Sequence, residues 1–329
     1  MAQRSRLQDV ADAAGVSFIT AWRALNEPQR VREKTREKVK AAAIDVGYVA
    51  NAVARSLVTS RSGVVGLIVP TLEDSIFSAT VQGLSDTLSK SGLEILMGIS
   101  RYDDIREEEL LRAFVGRQID ALVLTGKVHS DATRKLLAKT EIVVVEIWDV
   151  PENPLDLYVG FSNHDMARQA TKHLIEQGYK RIAFVSPQGR GRAEERHAGY
   201  CVAMQDSGLA DAITCIWAPA TLDGGAEALD ILMKSSPRPD AIFFNGDTPA
   251  VGAHLHGAAK GLKYPDDIAL MGLHDTDISS RVNPPLTTVR IPRYEIGKRA
   301  AEEIAKRLTD DGSAQSEVVP FEIVQRGTT

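Results

Sequence analysis

The 329-residue chain is poor in cysteine: Cys201 and Cys215 lie in different expected elements, with no CxxC spacing. That argues against a disulfide framework and against a structural zinc site. No apolar run approaches the ~20 residues a membrane span needs. The first stretch, MAQRSRLQDVADAAG, carries charge without an uninterrupted apolar core, so no secretion signal is read there and a cytoplasmic protein is expected. Low-complexity tracts and short-period repeats are missing as well. The motifs G-x-S-x-G, GxxxxGK[ST] and HExxH do not occur. His254 and His256 stand two apart on an expected helix and share no face, which speaks against a metal pair. Gly189-Arg190-Gly191 reads as a turn rather than a phosphate loop. Neither an enzyme nor a bound metal or cofactor is expected.

What the chain does have is an ordinary globular composition, with 43% apolar and 25% charged residues. Its net charge of -5 is unevenly spread. Residues 1–62 hold 11 Lys and Arg against 6 Asp and Glu, a net of +5, so the remaining residues carry -10. A basic head precedes an acidic body, and a polyanion is the natural partner of the head.

From residue 63 onward, short apolar runs alternate with longer amphipathic ones. Strands are expected at Val64–Pro70, Leu93–Ile99, Ile119–Thr125, Ile142–Ile147, Leu157–Phe161, Arg181–Ser186, Thr214–Trp217, Ala241–Asn245, Ile268–Leu273 and Thr287–Ile291. Many are almost continuously apolar, as parallel strands covered on both faces are. Helical patterns between them include Ile76–Ser91, Asp104–Arg117, His164–Gln177, Glu195–Ser207 and Thr248–Gly261. Gly92, Gly178, Gly208 and Gly261 fall where left-handed caps would. The alternation predicts a doubly wound α/β architecture, and its number of strands predicts two lobes with a cleft between them.

The head has no strand-like run and reads as three short helices. Val10, Val16, Ala21, Ala24 and Leu25 can close a small core, with Gly15 at the turn and Ser17 capping the second helix. A 100° step per residue then turns Ile19, Trp22, Arg23 and Asn26 outward, with Phe18 at the edge. The third helix, about Glu33–Val46, exposes Arg36, Lys38 and Lys40. A helix–turn–helix with a basic surface is a DNA-binding signal.

Three segments carry a much more specific resemblance: LQDVADAAGVS…T…R.LN (Leu7–Asn26), V.EKTREKV.AAA…GYVAN (Val31–Asn51) and NAVARSL (Asn51–Leu57). Together they resemble the DNA-binding head of the lactose-repressor (LacI/GalR) family. GLIVP (Gly66–Pro70), ER.AGY (Glu195–Tyr200), D..AVGA (Asp247–Ala253) and PPLTTV (Pro284–Val289) resemble the effector core of the same family. The resemblance implies an all-α helix-turn-helix head over 1–50, a hinge over 51–62, and a two-lobed, periplasmic-binding-protein-like α/β core over 63–329. Lobe 1 would take about 63–161 and 292–320, and lobe 2 about 162–291 and 321–329.

Carried over residue by residue, Ser17 and Thr20 would touch phosphates, while Phe18, Ile19 and Arg23 would face base edges, with Asn26 on the same outward side. Arg23 suits guanine O6 and N7, and the two apolar residues suit thymine methyls. Trp22 departs from the Ser common in the family: a phosphate contact is lost, the indole N–H substitutes, or Trp22 packs the head. Arg32 likewise stands where a capping Ser is common. Within the hinge, Asn51 can cap a short helix containing Ala54, Arg55 and Leu57 that needs outside support to form. The resemblance makes Leu57 a minor-groove wedge in a dimer; without it, the segment is a linker with one buried Leu.

For the cleft, Arg196 matches a family arginine reaching in from a second-lobe helix, although a surface arginine is the plain alternative. Asp247 matches an aspartate of an N-D motif whose Asn is replaced by Gly246, so that one polar contact is missing or is supplied by Asn245; Phe77 matches an apolar wall residue, and His274 replaces a frequent Asp. LTGKVHS (Leu124–Ser130), VVVEIWD (Val143–Asp149), VGFSN (Val159–Asn163) and GLHDTD (Gly272–Asp277) resemble the regulators of gluconate and ketogluconate use. Lys127, His129 and Arg196 would then favour an anion, with Thr125, Glu146 and Asp247 binding hydroxyls. The resulting expectation is a homodimeric repressor of sugar-acid genes that binds a near-palindromic double-stranded operator and a small sugar-acid effector. The C-terminal VVPFEIVQRGTT is strand-like rather than a leucine seam, hence a dimer. Two other readings use the same core: a solute-binding or sensory protein for a neutral sugar, and a sugar-modifying enzyme.

Overall fold

The computed structural model describes residues 5–49, 61–72, 75–189, 191–309 and 312–329. The chain forms two compact units, Met1–Ser62 and Gly63–Thr329. In the first, α1 (Leu7–Ala14), α2 (Phe18–Asn26) and α3 (Glu33–Asp45) pack around Val10, Ala11, Ala14, Ala21, Ala24, Val39, Ala42 and Ala43. With alanine at most of these positions the helices approach closely, and Leu7, Val16, Leu25 and Tyr48 seal the margin. Gly15 ends α1 at φ 57, a left-handed turn that its lack of a Cβ permits. Asn51, Ala54, Arg55 and Leu57 lie outside the described residues.

The second unit holds two six-stranded sheets. In sequence, β1 (Val64–Val69), α4 (Ser78–Leu88), β2 (Glu94–Ile99), α5 (Asp104–Val115), β3 (Ala121–Thr125), α6 (Asp131–Leu137), β4 (Val143–Ile147) and β5 (Leu157–Gly160) come first. They are followed by α7 (Asn163–Glu176), β6 (Ile182–Ser186), α8 (Arg192–Asp206), β7 (Thr214–Trp217), α9 (Leu222–Lys234), β8 (Ala241–Phe244), α10 (Asp247–Ala259), β9 (Ala269–His274) and β10 (Thr287–Arg290). The chain then runs through α11 (Arg293–Thr309), β11 (Glu317–Val318) and β12 (Glu322–Val324).

The first sheet has the order β11-β5-β4-β3-β1-β2 and the second β12-β10-β9-β8-β6-β7. Every ladder is parallel except β12 against β10. The central strands are buried along their length, which is why β1, β3, β4, β6 and β8 read as unbroken apolar runs. Gly92, Gly178, Gly208 and Gly261 all have positive φ, as caps require.

The chain passes between the sheets three times: after β5, after β10 and between β11 and β12. These crossings return α11 to the first lobe, where it packs on α4. The contact is backbone against backbone: a Cβ at Gly83 would overlap the Tyr294 carbonyl, and one at Gly297 the Thr80 carbonyl. Helix α8 begins at Arg192, three residues before the expected start at Glu195, so Arg192 occupies its first turn.

Candidate DNA-reading helix and ligand cleft

In the head, Ser17 caps α2: Thr20 N–H donates to Ser17 Oγ at 3.2 Å, and the two hydroxyls lie 2.8 Å apart. Ala21 and Ala24 bury one stripe of α2, leaving Phe18 49% and Ile19 60% exposed, with Arg23 also exposed. Trp22 is half-buried, and Asn26 donates Nδ2 to the Trp22 carbonyl at 2.9 Å. On α3, Lys34, Lys38 and Lys40 are exposed, Lys40 pairing with Glu37, whereas Arg36 is half-buried and pairs with Glu33 and Glu37. Arg32 makes no side-chain cap bond to α3.

In the second unit a cleft of about 1520 Å³ opens between the lobes. Its walls are the turns that follow the carboxyl ends of the strands, including Ser100–Tyr102, Thr125–Val128, Trp148–Asp149, Asn245–Gly246 and His274. This is where open parallel sheets bind ligands. Several wall residues are held in left-handed backbone although they are not glycine: Arg101 (φ 57), Tyr102 (φ 57), Trp148 (φ 74) and His274 (φ 102). Such conformations cost energy and concentrate at functional sites.

A polar network joins the lobes across the cleft. Arg196, 4% exposed, donates Nε to Asn163 Oδ1 at 2.8 Å and Nη1 to Asn245 Oδ1 at 2.9 Å. Burial, then the neighbouring Arg192, lowers its pKa to about 9. Asn163 turns its amide N–H to Asp149 Oδ1 at 2.8 Å and to the Trp148 carbonyl at 3.1 Å. Burial raises the Asp149 carboxyl to about 6, against the pull of Arg192. Lys127 of the first lobe pairs with Glu195 of α8. Both ring nitrogens of His274 lack a partner among the described residues; burial, followed by repulsion from Arg196, Arg293 and Arg192, keeps the ring neutral.

Comparison with known proteins fits both units. Residues 6–51 match the profile "Bacterial regulatory proteins, lacI family", and residues 171–329 match "Periplasmic binding protein-like domain". The HTH-type transcriptional regulator GntR of Pseudomonas aeruginosa is 34% identical, over 99% of this chain and 96% of its own. The HTH-type transcriptional repressor CytR of Escherichia coli is 30% identical over 98% and 96%. The chain belongs to the LacI family. Among solved structures, a LacI-family transcriptional regulator from Silicibacter pomeroyi superposes with a TM-score of 0.90 at 29% identity, covering 98% of this chain and 99% of its own. The transcription regulator GntR from Chromobacterium violaceum gives 0.75 at 29%, over 80% and 98%.

A LacI-family chain of this kind is a DNA-binding transcriptional regulator, not an enzyme, which disposes of the sugar-modifying reading. It also removes the solute-binding alternative, which leaves the head without a role. Among the described residues, no helix is long and apolar enough to cross a membrane.

The expected effector residues do not all reach the cleft. Thr125, Lys127, Arg196 and His274 line it. Phe77 is buried behind the wall, edge-on to Trp148 at 5.1 Å. Asp247 is also buried; it accepts from Thr276 N–H at 2.6 Å and from the Thr288 hydroxyl at 2.6 Å, fixing the turn after β9. His129 and Glu146 are placed away from the lining. Burial alone would lower the His129 pKa, but the Glu107 carboxylate, hydrogen-bonded to Nδ1 at 2.9 Å, and the Glu146 carboxylate, 3.5 Å from Nε2, carry it to about 9, so the ring is a cation between two carboxylates. Glu146 is fully buried and accepts the Leu155 N–H at 2.7 Å. His129 stands behind Glu107, which does line the cleft.

Sequence reasoning did not single out Trp148, Asp149 and Arg192, which line the cleft, or the buried Asn163 beside them; Asn245, the stand-in for the Asn that Gly246 replaces, does line it. Trp148, Asp149 and Asn163 close the segments VVVEIWD and VGFSN, so a signal was present for them. For Arg192 the missed signal was the helix start.

Proposed function

We propose that this regulator is a cytoplasmic homodimeric repressor whose cleft binds a sugar acid, such as gluconate or a ketogluconate, and thereby changes operator affinity. The observation that carries this reading is the start of α8, where Arg192 and, one turn later, Arg196 line the cleft of an otherwise acidic core. A neutral His274 with open ring nitrogens and the Thr125 hydroxyl offer partners for sugar hydroxyls. Of the expected ligands, Lys127, Thr125, Arg196 and His274 would contact the effector; Phe77, Asp247, His129 and Glu146 would shape the wall from behind.

In the head, Ser17 and Thr20 would bind phosphates, with Phe18, Ile19 and Arg23 facing bases and Trp22 and Asn26 beside them. Residues 51–62 would act as the hinge, with Asn51, Ala54 and Arg55 in its helix and Leu57 as the wedge in a near-palindromic operator. Effector control requires the ligand to bind the DNA-competent and incompetent states with different affinity.

A thermal-shift screen of gluconate, 2-ketogluconate, 5-ketogluconate, phosphorylated sugars and neutral hexoses tests the ligand class. A saturating ligand raises the melting temperature by mass action. A sugar acid is the expected hit, and a neutral hexose as the only hit overturns the reading.

A further inference from the structure

Three cations stand at the cleft, and they are not equivalent. Lys127 is paired with Glu195. Arg196 is committed to Asn163 and Asn245, at 2.8 and 2.9 Å, and is buried by them. Arg192, one turn earlier on α8, is differently placed. Its Nη1 reaches Asp149 Oδ2 only at 3.5 Å, the long limit of a hydrogen bond. Its guanidinium carbon sits 5.7 Å over the Phe77 ring, which holds the planar fork in place without using its donors.

Asp149 is the carboxylate that faces Arg192. Its Oδ1 is taken by Asn163, and its Oδ2 faces Arg192. The charged groups acting on it are Arg192, Glu195, Arg196 and Lys127, and it is 1% exposed. A buried carboxylate held this weakly is readily neutralised. His274 supplies an independent sign of a ligand: it is 3% exposed, lines the same cleft and has no partner on either nitrogen among the described residues.

We propose that Arg192 is the residue that selects a carboxylate in this cleft, and that the ligand's carboxylate replaces Asp149 as its partner. The proposal rests on the sugar-acid reading above. A guanidinium takes a carboxylate through two parallel N–H bonds, which a hydroxyl cannot imitate. The displaced Asp149 carboxylate keeps its Asn163 bond and takes a proton from solvent, so that two anions do not share one arginine.

Isothermal titration of the full chain with D-gluconate at pH 7.5 tests this on the wild type, R192Q, R192K and D149N. We expect R192Q to bind D-gluconate at least tenfold more weakly and R192K to recover part of that loss. D149N, which removes the competing carboxylate, should bind it more tightly than the wild type. R192Q within threefold of the wild type overturns the proposal, as does R192K falling as far as R192Q, or D149N weakening binding while folded. If the wild type binds neither D-gluconate nor 2-keto-D-gluconate, the sugar-acid reading falls and takes the proposal with it. If the wild type binds and R192Q is unchanged, only the proposal falls.

Discussion

Arg196 donates its Nε proton to Asn163 Oδ1 at 2.8 Å, and the amide of that same Asn163 donates onward to Asp149. One buried asparagine thus carries the polar link from α8 of the second lobe to the turn after β4 in the first. Replacing it with leucine, N163L, strands a buried cation and a buried carboxylate. The expected cost is about 2–4 kcal/mol of stability, because each partner keeps its desolvation penalty and loses its bond. Urea unfolding of the variant measures it. A change below about 0.5 kcal/mol would mean that the network does not join the lobes.

The ligand proposal fixes a pH dependence. Asp149 titrates near 6 in the free protein and higher once an anion sits beside it. Between those two values binding takes up a proton, so D-gluconate affinity should rise as pH falls from 8 toward 6, by up to about tenfold per unit, and level off below. In D149N the profile should be flat over that range. Titration at several pH values, in buffers of different ionisation enthalpy, reads both the slope and the proton.

His129 gives a separate, ligand-free prediction. Its pKa is raised from 6.5 to about 9 in the folded chain, so its stabilisation is complete below pH 6.5 and is lost as pH rises through 9. The full effect is on the order of 3 kcal/mol. The difference in urea midpoint between the wild type and H129Q should therefore shrink between pH 6 and pH 9.5. A constant difference would show that the ring is not held as a cation.

Thr288 and Thr276 hold the buried Asp247 carboxylate. T288V keeps the shape of the side chain and removes one hydroxyl bond to a charge, which costs about 1.5–3 kcal/mol. Chemical denaturation of T288V checks this; an unchanged midpoint would mean that another group takes over the vacated oxygen.

Much of this architecture was legible from apolar patterning. The ten expected strands all appear; the central ones are buried and write themselves as continuous runs such as Leu67–Val69 and Val143–Val145, while the edge strands β2 and β7 are largely exposed. The short strands β11 and β12 span two and three residues, too few for any periodicity, and the C-terminal segment showed only a strand-like composition. The site was less legible. Lys127 and His129 are two residues apart, yet Lys127 lines the cleft while His129 turns back to Glu107 on α5. Which way each turns depends on a helix more than twenty residues earlier, and no local pattern encodes that. Likewise, the left-handed backbone at Trp148 follows from the close passage of its loop over Gly160, not from the tryptophan.

On the head, Arg23, Lys34 and Lys38 are exposed cations, available to the proposed DNA interface. Affinity for a duplex selected from random sequence should fall steeply with added salt as counterions return to the DNA. A flat response between 50 and 200 mM would contradict a phosphate-based interface.

The central claim is that a sugar acid in the cleft alters DNA binding by the same chain. Fluorescence anisotropy of that selected duplex with the full chain, titrated with D-gluconate, 2-keto-D-gluconate and D-glucose, tests it directly. A sugar acid should shift the operator Kd at least fivefold, D-glucose should not, and R196A should bind the duplex normally without the shift. An operator Kd unmoved by either sugar acid, or moved by D-glucose alone, would contradict it.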